Sequence, residues 1–169
     1  GIVDSSRAFI SHSDAGFLYG AGLFETMRAS NGVVFAINDH LERLFNSAAK
    51  LSVRLAGDKK FFTDAIYQTL KANDLKDARL RLTATSGTMS ADDSAQPTLL
   101  ITAINFEPYP NDYYQKGVLA VLSPYRQNPS DALSGHKTTN YFSRLLALSQ
   151  ARQKHAAEAL WFTVDCLLA

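Results

Sequence analysis

The chain has 169 residues, of which 46% are hydrophobic and 20% charged, which is the composition of an ordinary globular protein. Its 17 Lys and Arg residues against 16 Asp and Glu give a formal charge of +1, which argues against a nucleic-acid-binding surface or a polybasic membrane anchor. The single cysteine, Cys166, excludes an internal disulfide, and no apolar run is long enough to span a bilayer. No signal-peptide pattern begins the chain, so a cytoplasmic protein is expected.

The first predicted elements form a β-hairpin. Residues 23–29 are typical of a strand, and Asn31-Gly32 separates them from a second β-rich run at residues 33–37. Asn and Gly both tolerate positive φ, which makes this dipeptide between two strands the strongest short-range hairpin signal.

Two helices are predicted after the hairpin. Asp39 and Glu42 have the spacing of a capping box, which predicts a helix start at Asp39. The apolar stripe of this helix is Leu41, Leu44, Phe45, Ala48 and Leu51, and that of a second helix over residues 60–72 is Phe62, Ile66 and Leu70. Arg43 lies on a flank of the first helix, where an ion pair with Asp39 is the simple alternative to a ligand-binding role.

Further strands are predicted over residues 79–85, 97–104 and 118–122. Strands followed by helices and more strands predict an α+β N-terminal domain over residues 1–122, with two helices on one face of a largely antiparallel sheet. Residues 123–136 are rich in Pro, Ser and other polar residues, which predicts an interdomain linker.

Residues 137–169 are expected to begin a second, α/β domain. A helix is predicted over residues 141–154 with an apolar side formed by Phe142, Leu145, Leu146 and Leu148. The nearly continuous apolar run at residues 159–164 predicts a strand buried on both faces. One helix and one buried strand are too few for an independent core, so this second domain is expected to be incomplete.

Lys137 stands where the linker ends and the last helix approaches. Lysine forms Schiff bases with carbonyl cofactors when its surroundings favour the neutral amine, so Lys137 is the candidate reactive residue. The four histidines have no metal-ligand spacing and one cysteine cannot complete a site, so no metal is predicted.

Several stretches, in their order and spacing, resemble the fold-type IV enzymes that use pyridoxal phosphate. They are Tyr19-Gly20-Ala21-Gly22-Leu23-Phe24-Glu25-Thr26, His40-Leu41-Glu42-Arg43-Leu44 with Ser47 and Leu51 following, Lys137-Thr138-Thr139-Asn140-Tyr141, Glu158-Ala159-Leu160 and Val164-Asp165. The family includes branched-chain aminotransferases, D-amino-acid aminotransferases and aminodeoxychorismate lyase. The resemblance covers most of the chain and implies pyridoxal 5′-phosphate as the cofactor.

The resemblance also implies roles for individual residues. Lys137 would be the catalytic residue that binds the cofactor aldehyde and moves the proton at the substrate Cα. Arg43 would bind the cofactor phosphate, since a guanidinium fork matches phosphate oxygens and keeps its charge. The implied substrate-binding residues are Tyr19, Thr26, Arg28, Tyr109 and Tyr141.

The reaction that the resemblance implies first is the transfer of an amino group between a branched-chain-like amino acid and a 2-oxo acid. Lysis of aminodeoxychorismate to 4-aminobenzoate and pyruvate is the alternative, and Thr26 resembles a position that matters for it. D-specific transfer is disfavoured because residues 85–90 contain no arginine or histidine to hold a carboxylate. A homodimer is expected.

The family places the acidic partner of the pyridine nitrogen, which makes the ring an electron sink, beyond residue 169. The chain is therefore expected to be a truncated member of the family. An inactive fragment or a non-catalytic interaction module is the alternative from another functional class.

Overall fold

A computed structural model describes residues 1–88 and 96–169 of the chain. The chain divides into two compact units, each made of two stretches. The first contains Gly1–Phe106 and His136–Asn140, and the second contains Glu107–Gly135 and Tyr141–Ala169. The domain limits inferred from composition, at residues 122 and 136, stay predictions. The α+β class of the first unit is confirmed, because an antiparallel sheet carries helices on one face.

The first unit is built on a four-stranded antiparallel sheet with the strand order β2-β1-β3-β4. Its strands are β1 Gly22–Ser30, β2 Val33–Val34, β3 Ala78–Thr85 and β4 Thr98–Asn105. Strand β2 pairs with β1 only at Ala29 and Ser30. The same edge of β1 is therefore left open toward Gly22 for a second partner.

The predicted hairpin between β1 and β2 is confirmed. Ser30 is opposite Val33, and the two turn residues, Asn31 and Gly32, have φ values of 51° and 79°. Two successive positive φ angles are the signature of a type I′ turn. The second strand is shorter than predicted, because Ala36 takes a left-handed conformation (φ 49°, ψ 37°) from which a helix begins.

The helices of the first unit are α1 Ala15–Tyr19, α2 Ile37–Lys50 and α3 Lys59–Ala72. The predicted capping box was wrong: the residue before α2 is Ala36, which makes no side-chain cap, and Glu42 instead pairs with Lys59 on α3. Helix α3 starts one residue earlier than predicted, after Asp58, whose carboxylate accepts a hydrogen bond from the Phe61 amide at 2.7 Å.

The core of the first unit lies between the sheet and helices α2 and α3. The predicted stripes are confirmed, with Leu41, Leu44 and Ala48 of α2 and Phe62, Ile66 and Leu70 of α3 all buried. They meet alternate residues of the strands, namely Leu23, Met27 and Ala29 of β1 and Leu80, Leu82 and Ala84 of β3. Alternate residues share a face of a strand, so the remaining residues of β1 and β3 form an outer face.

The second unit contains α4 Asn111–Lys116, β5 Ala120–Gln127, α5 Phe142–Gln153 and β6 Glu158–Thr163. Strands β5 and β6 pair in parallel. The strand predicted at residues 118–122 continues to Gln127, past Pro124, and the register shifts between Leu122 and Arg126. Proline has no amide hydrogen to give to the ladder, which is why the irregularity falls there.

Burial in the second unit differs from the prediction. Phe142 and Leu145 of α5 are 76% and 56% exposed, and the buried residues of this helix are Ala147 and Ala151. In β6, Trp161 is buried while the neighbouring Leu160 is 42% exposed, so the expected two-sided burial was wrong. Within residues 1–88 and 96–169, no helix combines the length and apolar character needed to cross a membrane.

Candidate active site

The segment containing Lys137 pairs with the open edge of β1. Leu23 and Thr138 form an antiparallel bridge, the Phe24 amide donates to the Lys137 carbonyl at 3.0 Å, and the Thr139 amide donates to the Gly22 carbonyl at 2.8 Å. The Thr139 hydroxyl adds a bond to the Gly20 carbonyl at 2.7 Å. Two stretches far apart in sequence, around residues 20–24 and 137–139, are thus joined side by side.

The side chain of Lys137 lies over an aromatic ring of β1. Its Nζ is 4.4 Å from the centroid of the Phe24 ring, and the guanidinium carbon of Arg81 is 3.9 Å from the same centroid. Phe24 is only 4% exposed, so its ring is a fixed support for both basic side chains. Two basic side chains on one ring make this end of the sheet suited to an anionic ligand.

Arg43 projects from α2 onto Glu25, the residue that follows Phe24 in β1. Its Nε and Nη2 donate to the two Glu25 carboxylate oxygens at 2.7 and 2.5 Å. Glu25 is 1% exposed, and it accepts a third hydrogen bond from Nδ1 of His40 at 2.8 Å. The partner of Arg43 is therefore this buried carboxylate on the sheet and not Asp39 on its own helix.

The ion pair with Glu25 fixes how Arg43 can meet a ligand. Hydrogen bonding to Glu25 raises the pKa of Arg43 above its ordinary value, against the opposing effect of burial, so the guanidinium stays charged. The edge formed by Nε and Nη2 is occupied, whereas Nη1 makes no hydrogen bond to any residue within 1–88 or 96–169. Half of the side-chain surface is exposed. A phosphate would therefore meet the outer edge of Arg43.

Lys137 and Arg43 are held by successive residues of one strand. Neighbouring residues of a strand project on opposite faces, so Phe24 carries Lys137 on the outer face and Glu25 carries Arg43 on the helix-covered face. The residue before Lys137 belongs to the helix-covered face too, because Nδ1 of His136 is 2.9 Å from the Ser47 hydroxyl of α2.

The substrate-side predictions in the first unit fall on exposed positions. Tyr19 is 68% exposed at the end of α1, and Thr26 and Arg28 are exposed on the outer face of β1. Arg28 is opposite Arg79 and Thr26 is opposite Arg81 in the β1-β3 ladder. The Arg28 guanidinium lies 4.1 Å from the centroid of the Phe106 ring. The outer face thus presents a cluster of three arginines, Arg28, Arg79 and Arg81.

The remaining two predicted substrate residues belong to the second unit. Tyr109 is 68% exposed and stacks on Tyr113, with ring centroids 5.9 Å apart. The ring of Tyr141 lies 5.9 Å from the guanidinium of Arg144. The loop used to disfavour D-specific transfer lies partly outside the described residues, since it includes residues 89 and 90.

Sequence reasoning gave no role to Glu25, His40, Ser47, Arg81 or His136. A usable signal existed for Glu25: Leu23, Met27 and Ala29 alternate along β1 as core residues, and a carboxylate at the inward position between them needs buried partners. His40 and Ser47 belong to the second stretch that carries the family resemblance, whereas no such signal gives a role to Arg81 or His136. Among the described residues, no group of three or more His, Cys, Asp or Glu side chains could hold a metal ion.

Comparison with known proteins gives a family match over most of the chain. The family model described as amino-transferase class IV matches residues 22–168. The matched span includes strand β1, Arg43 and Lys137.

Individual relatives fall into the same group of enzymes. A Methanocaldococcus jannaschii protein provisionally named branched-chain-amino-acid aminotransferase is 35% identical over 93% of this chain and 55% of its own length. A Staphylococcus haemolyticus D-alanine aminotransferase is 26% identical over 94% of this chain and 56% of its own. A solved structure of 4-amino-4-deoxychorismate lyase from Pseudomonas aeruginosa superimposes with a TM-score of 0.82 at 26% identity, covering 94% of this chain and 59% of that one. The chain thus spans little more than half the length of these relatives.

Proposed function

Because the chain belongs to the class IV aminotransferase family, we propose that it serves pyridoxal-phosphate-dependent amino transfer between an amino acid, branched-chain-like, and a 2-oxo acid. The observation behind the proposal is the pairing of the Lys137 segment with β1. It places the Lys137 amine over Phe24 on the outer face, and the next residue of the strand, Glu25, holds Arg43 on the helix-covered face. The chain spans only about half of its relatives' length, so the activity is proposed for the protein in which this chain occurs.

The side chains at the edge of β1 fit the chemistry of the family's cofactor. Pyridoxal phosphate, when bound, supplies an aldehyde and a ring that withdraws electrons from the substrate Cα. Lys137 offers the amine for the aldehyde, and the outer edge of Arg43 offers hydrogen bonds and charge for the phosphate. Because Glu25 fixes the plane of the guanidinium in advance, little side-chain entropy remains to be lost when Arg43 meets an anion.

The outer face of the sheet suits an amino-acid or 2-oxo-acid substrate. Arg28 and Arg81 each lie over an aromatic ring, which restricts the plane of each guanidinium while leaving its edge open to a carboxylate. In the proposed reaction, Lys137 moves the proton at the substrate Cα, and these arginines orient carboxylate groups. Thr26, between them on the same face, contributes a hydroxyl.

The lyase that forms 4-aminobenzoate and pyruvate is the second candidate. It is supported by the likeness to the Pseudomonas aeruginosa lyase and by the exposed position of Thr26 on the outer face. A D-alanine aminotransferase is also among the relatives. Against D-specific transfer stands the sequence of residues 85–90, which offers no arginine or histidine.

Borohydride trapping tests whether Lys137 is the cofactor lysine. The chain is incubated with pyridoxal phosphate, reduced with borohydride and digested, and the modified peptides are identified by mass spectrometry. Label concentrated on Lys137 and absent from a Lys137→Ala variant supports the proposal; Lys154→Ala serves as the control for loss of an exposed lysine. Label scattered over other lysines with Lys137 unmodified would support the inert interaction module.

Substrate assays separate the candidate reactions. The protein that carries this chain is supplied in turn with branched-chain L-amino acids, D-alanine and aminodeoxychorismate, and the products measured are 2-oxo acids and 4-aminobenzoate. Formation of 4-aminobenzoate without 2-oxo-acid exchange would replace the aminotransferase proposal with the lyase. The cytoplasmic location and the homodimer stay predictions, the latter testable by sedimentation.

A further inference from the structure

The backbone around Lys137 is anchored firmly on its C-terminal side. Thr138 is 8% exposed, and Thr139 donates both its amide and its hydroxyl to carbonyls of the segment that leads into β1, at 2.8 and 2.7 Å. These contacts fix the position of Lys137 along the edge of β1. They do not hold the backbone on the N-terminal side of Lys137.

On the N-terminal side, a side-chain contact joins the segment to a helix. Gly135 is exposed with φ 79°, a conformation at which the chain changes direction. Immediately after it, Nδ1 of His136 is 2.9 Å from the hydroxyl of Ser47 on α2. Ser47 is 4% exposed and lies between the core residues Leu44 and Ala48, where a hydroxyl is costly unless it is hydrogen-bonded.

Ser47 is one helical turn after Arg43. Residues four apart lie on the same side of an α-helix, so the contact with His136 connects the backbone of Lys137 to the part of α2 that carries Arg43. The contact therefore joins the residue before Lys137 to the helix that carries Arg43, in addition to the pairing of both groups with β1.

We propose that the His136–Ser47 hydrogen bond is a positioning contact that sets the Lys137 amine and the Arg43 guanidinium at the separation needed for one ligand carrying both an aldehyde and a phosphate. The proposal rests on the proposed function. A rigid ligand that binds at two points gains from both only when the spacing of the two groups matches its own, so losing the contact reduces the advantage of two-point binding.

Three probes measure that advantage: pyridoxal phosphate, which has both groups; pyridoxal, which lacks the phosphate; and pyridoxine phosphate, which lacks the aldehyde. Ser47→Ala and His136→Gln are expected to weaken binding of pyridoxal phosphate by about 3- to 10-fold, the effect of losing one neutral hydrogen bond. Each one-group probe is expected to bind within about twofold of wild type, because neither point of contact has itself been altered.

The choice of variants distinguishes a loss of positioning from a general loss of stability. An asparagine amide can occupy the place of Nδ1, whereas a glutamine amide lies closer to the place of Nε2, so His136→Asn is expected to retain the two-point advantage that His136→Gln loses. The double variant Ser47→Ala/His136→Gln is expected to bind pyridoxal phosphate no more weakly than either single variant. His12→Gln and Ser143→Ala, at exposed positions, are the matched controls.

Two results would overturn the positioning contact while leaving the proposed function intact. One is an equal loss for all three probes in the Ser47 and His136 variants. The other is unchanged binding of pyridoxal phosphate in variants that melt like wild type. A wild-type chain in which pyridoxal phosphate binds no better than pyridoxal would instead overturn the proposed function, and the positioning contact with it.

Discussion

The two units of this chain use apolar residues differently. In the first unit, residues spaced for a helix face or a strand face are buried against each other, as Phe62 and Leu82 are at 0% exposure. In the second, residues with equally clear spacing are exposed, as Phe142 is at 76%. Periodicity therefore predicts which side of an element is apolar, whereas burial requires a second surface within the chain.

The same contrast holds for polar groups. Glu25 in the first unit is buried and has three hydrogen-bond donors around it. The ion pair of the second unit, between Lys116 and Asp112 on α4, is exposed at both side chains. A buried pair is rigid and costly to break, whereas an exposed one contributes little, so the polar contacts that fix geometry are concentrated in the first unit.

The largest expected effect comes from emptying the core of the first unit. Phe62→Ala should lower the free energy of unfolding by about 3–5 kcal/mol, because it leaves a cavity beneath the sheet. Phe142→Ala, the counterpart in the second unit, should change it by no more than about 0.5 kcal/mol. Urea unfolding measures both, and equal losses would contradict the contrast between the units.

Breaking the buried ion pair should have the next largest effect. Arg43→Ala leaves the buried Glu25 carboxylate with His40 as its remaining partner among the described residues. We expect a loss of about 2–3 kcal/mol, less than for a fully buried pair because half of the Arg43 side chain is exposed. Lys116→Ala, which removes the exposed pair of the second unit, should cost about 0–1 kcal/mol. Thermal and urea unfolding provide the comparison, and an Arg43→Ala variant as stable as Lys116→Ala would show that Glu25 does not depend on its partner.

A smaller effect is expected where the Lys137 segment joins β1. Thr139→Val removes the hydroxyl bond to the Gly20 carbonyl and should cost about 1 kcal/mol. The loss should appear as faster hydrogen exchange at the Phe24 and Thr139 amides, which join the two segments. Thr163→Val in the second unit, whose hydroxyl accepts a hydrogen bond from an exposed amide, should leave the exchange of those two amides unchanged.

Much of the fold could be predicted because its signals are local. The Asn31-Gly32 turn, the stripe containing Leu41 and Leu44, and the alternation of Leu80 and Leu82 each depend on residues close in sequence, and the structure confirms them. The start of α2 could not be predicted, since Asp39 and Glu42 match a capping pattern while a left-handed Ala36 in fact begins the helix.

The candidate site was only partly predictable for the same reason. Lys137 and Arg43 were singled out by short motifs, and their roles stay proposals. What surrounds them is non-local: Lys137 pairs with the strand at Phe24, Arg43 pairs with Glu25, and His136 contacts Ser47. Pairings across such separations leave no periodic trace in a single sequence, so they had to come from the structure.

The proposed function requires one cofactor to reach both Lys137, which lies over Phe24, and Arg43, which is held by Glu25, at the edge of β1. A crystal structure of the chain soaked with pyridoxal phosphate would show whether it does. We expect electron density continuous with Nζ of Lys137 and a phosphate group on the outer edge of the Arg43 guanidinium, with the Glu25 pair intact. Density joined to another lysine, or a phosphate bound away from Arg43, would contradict it.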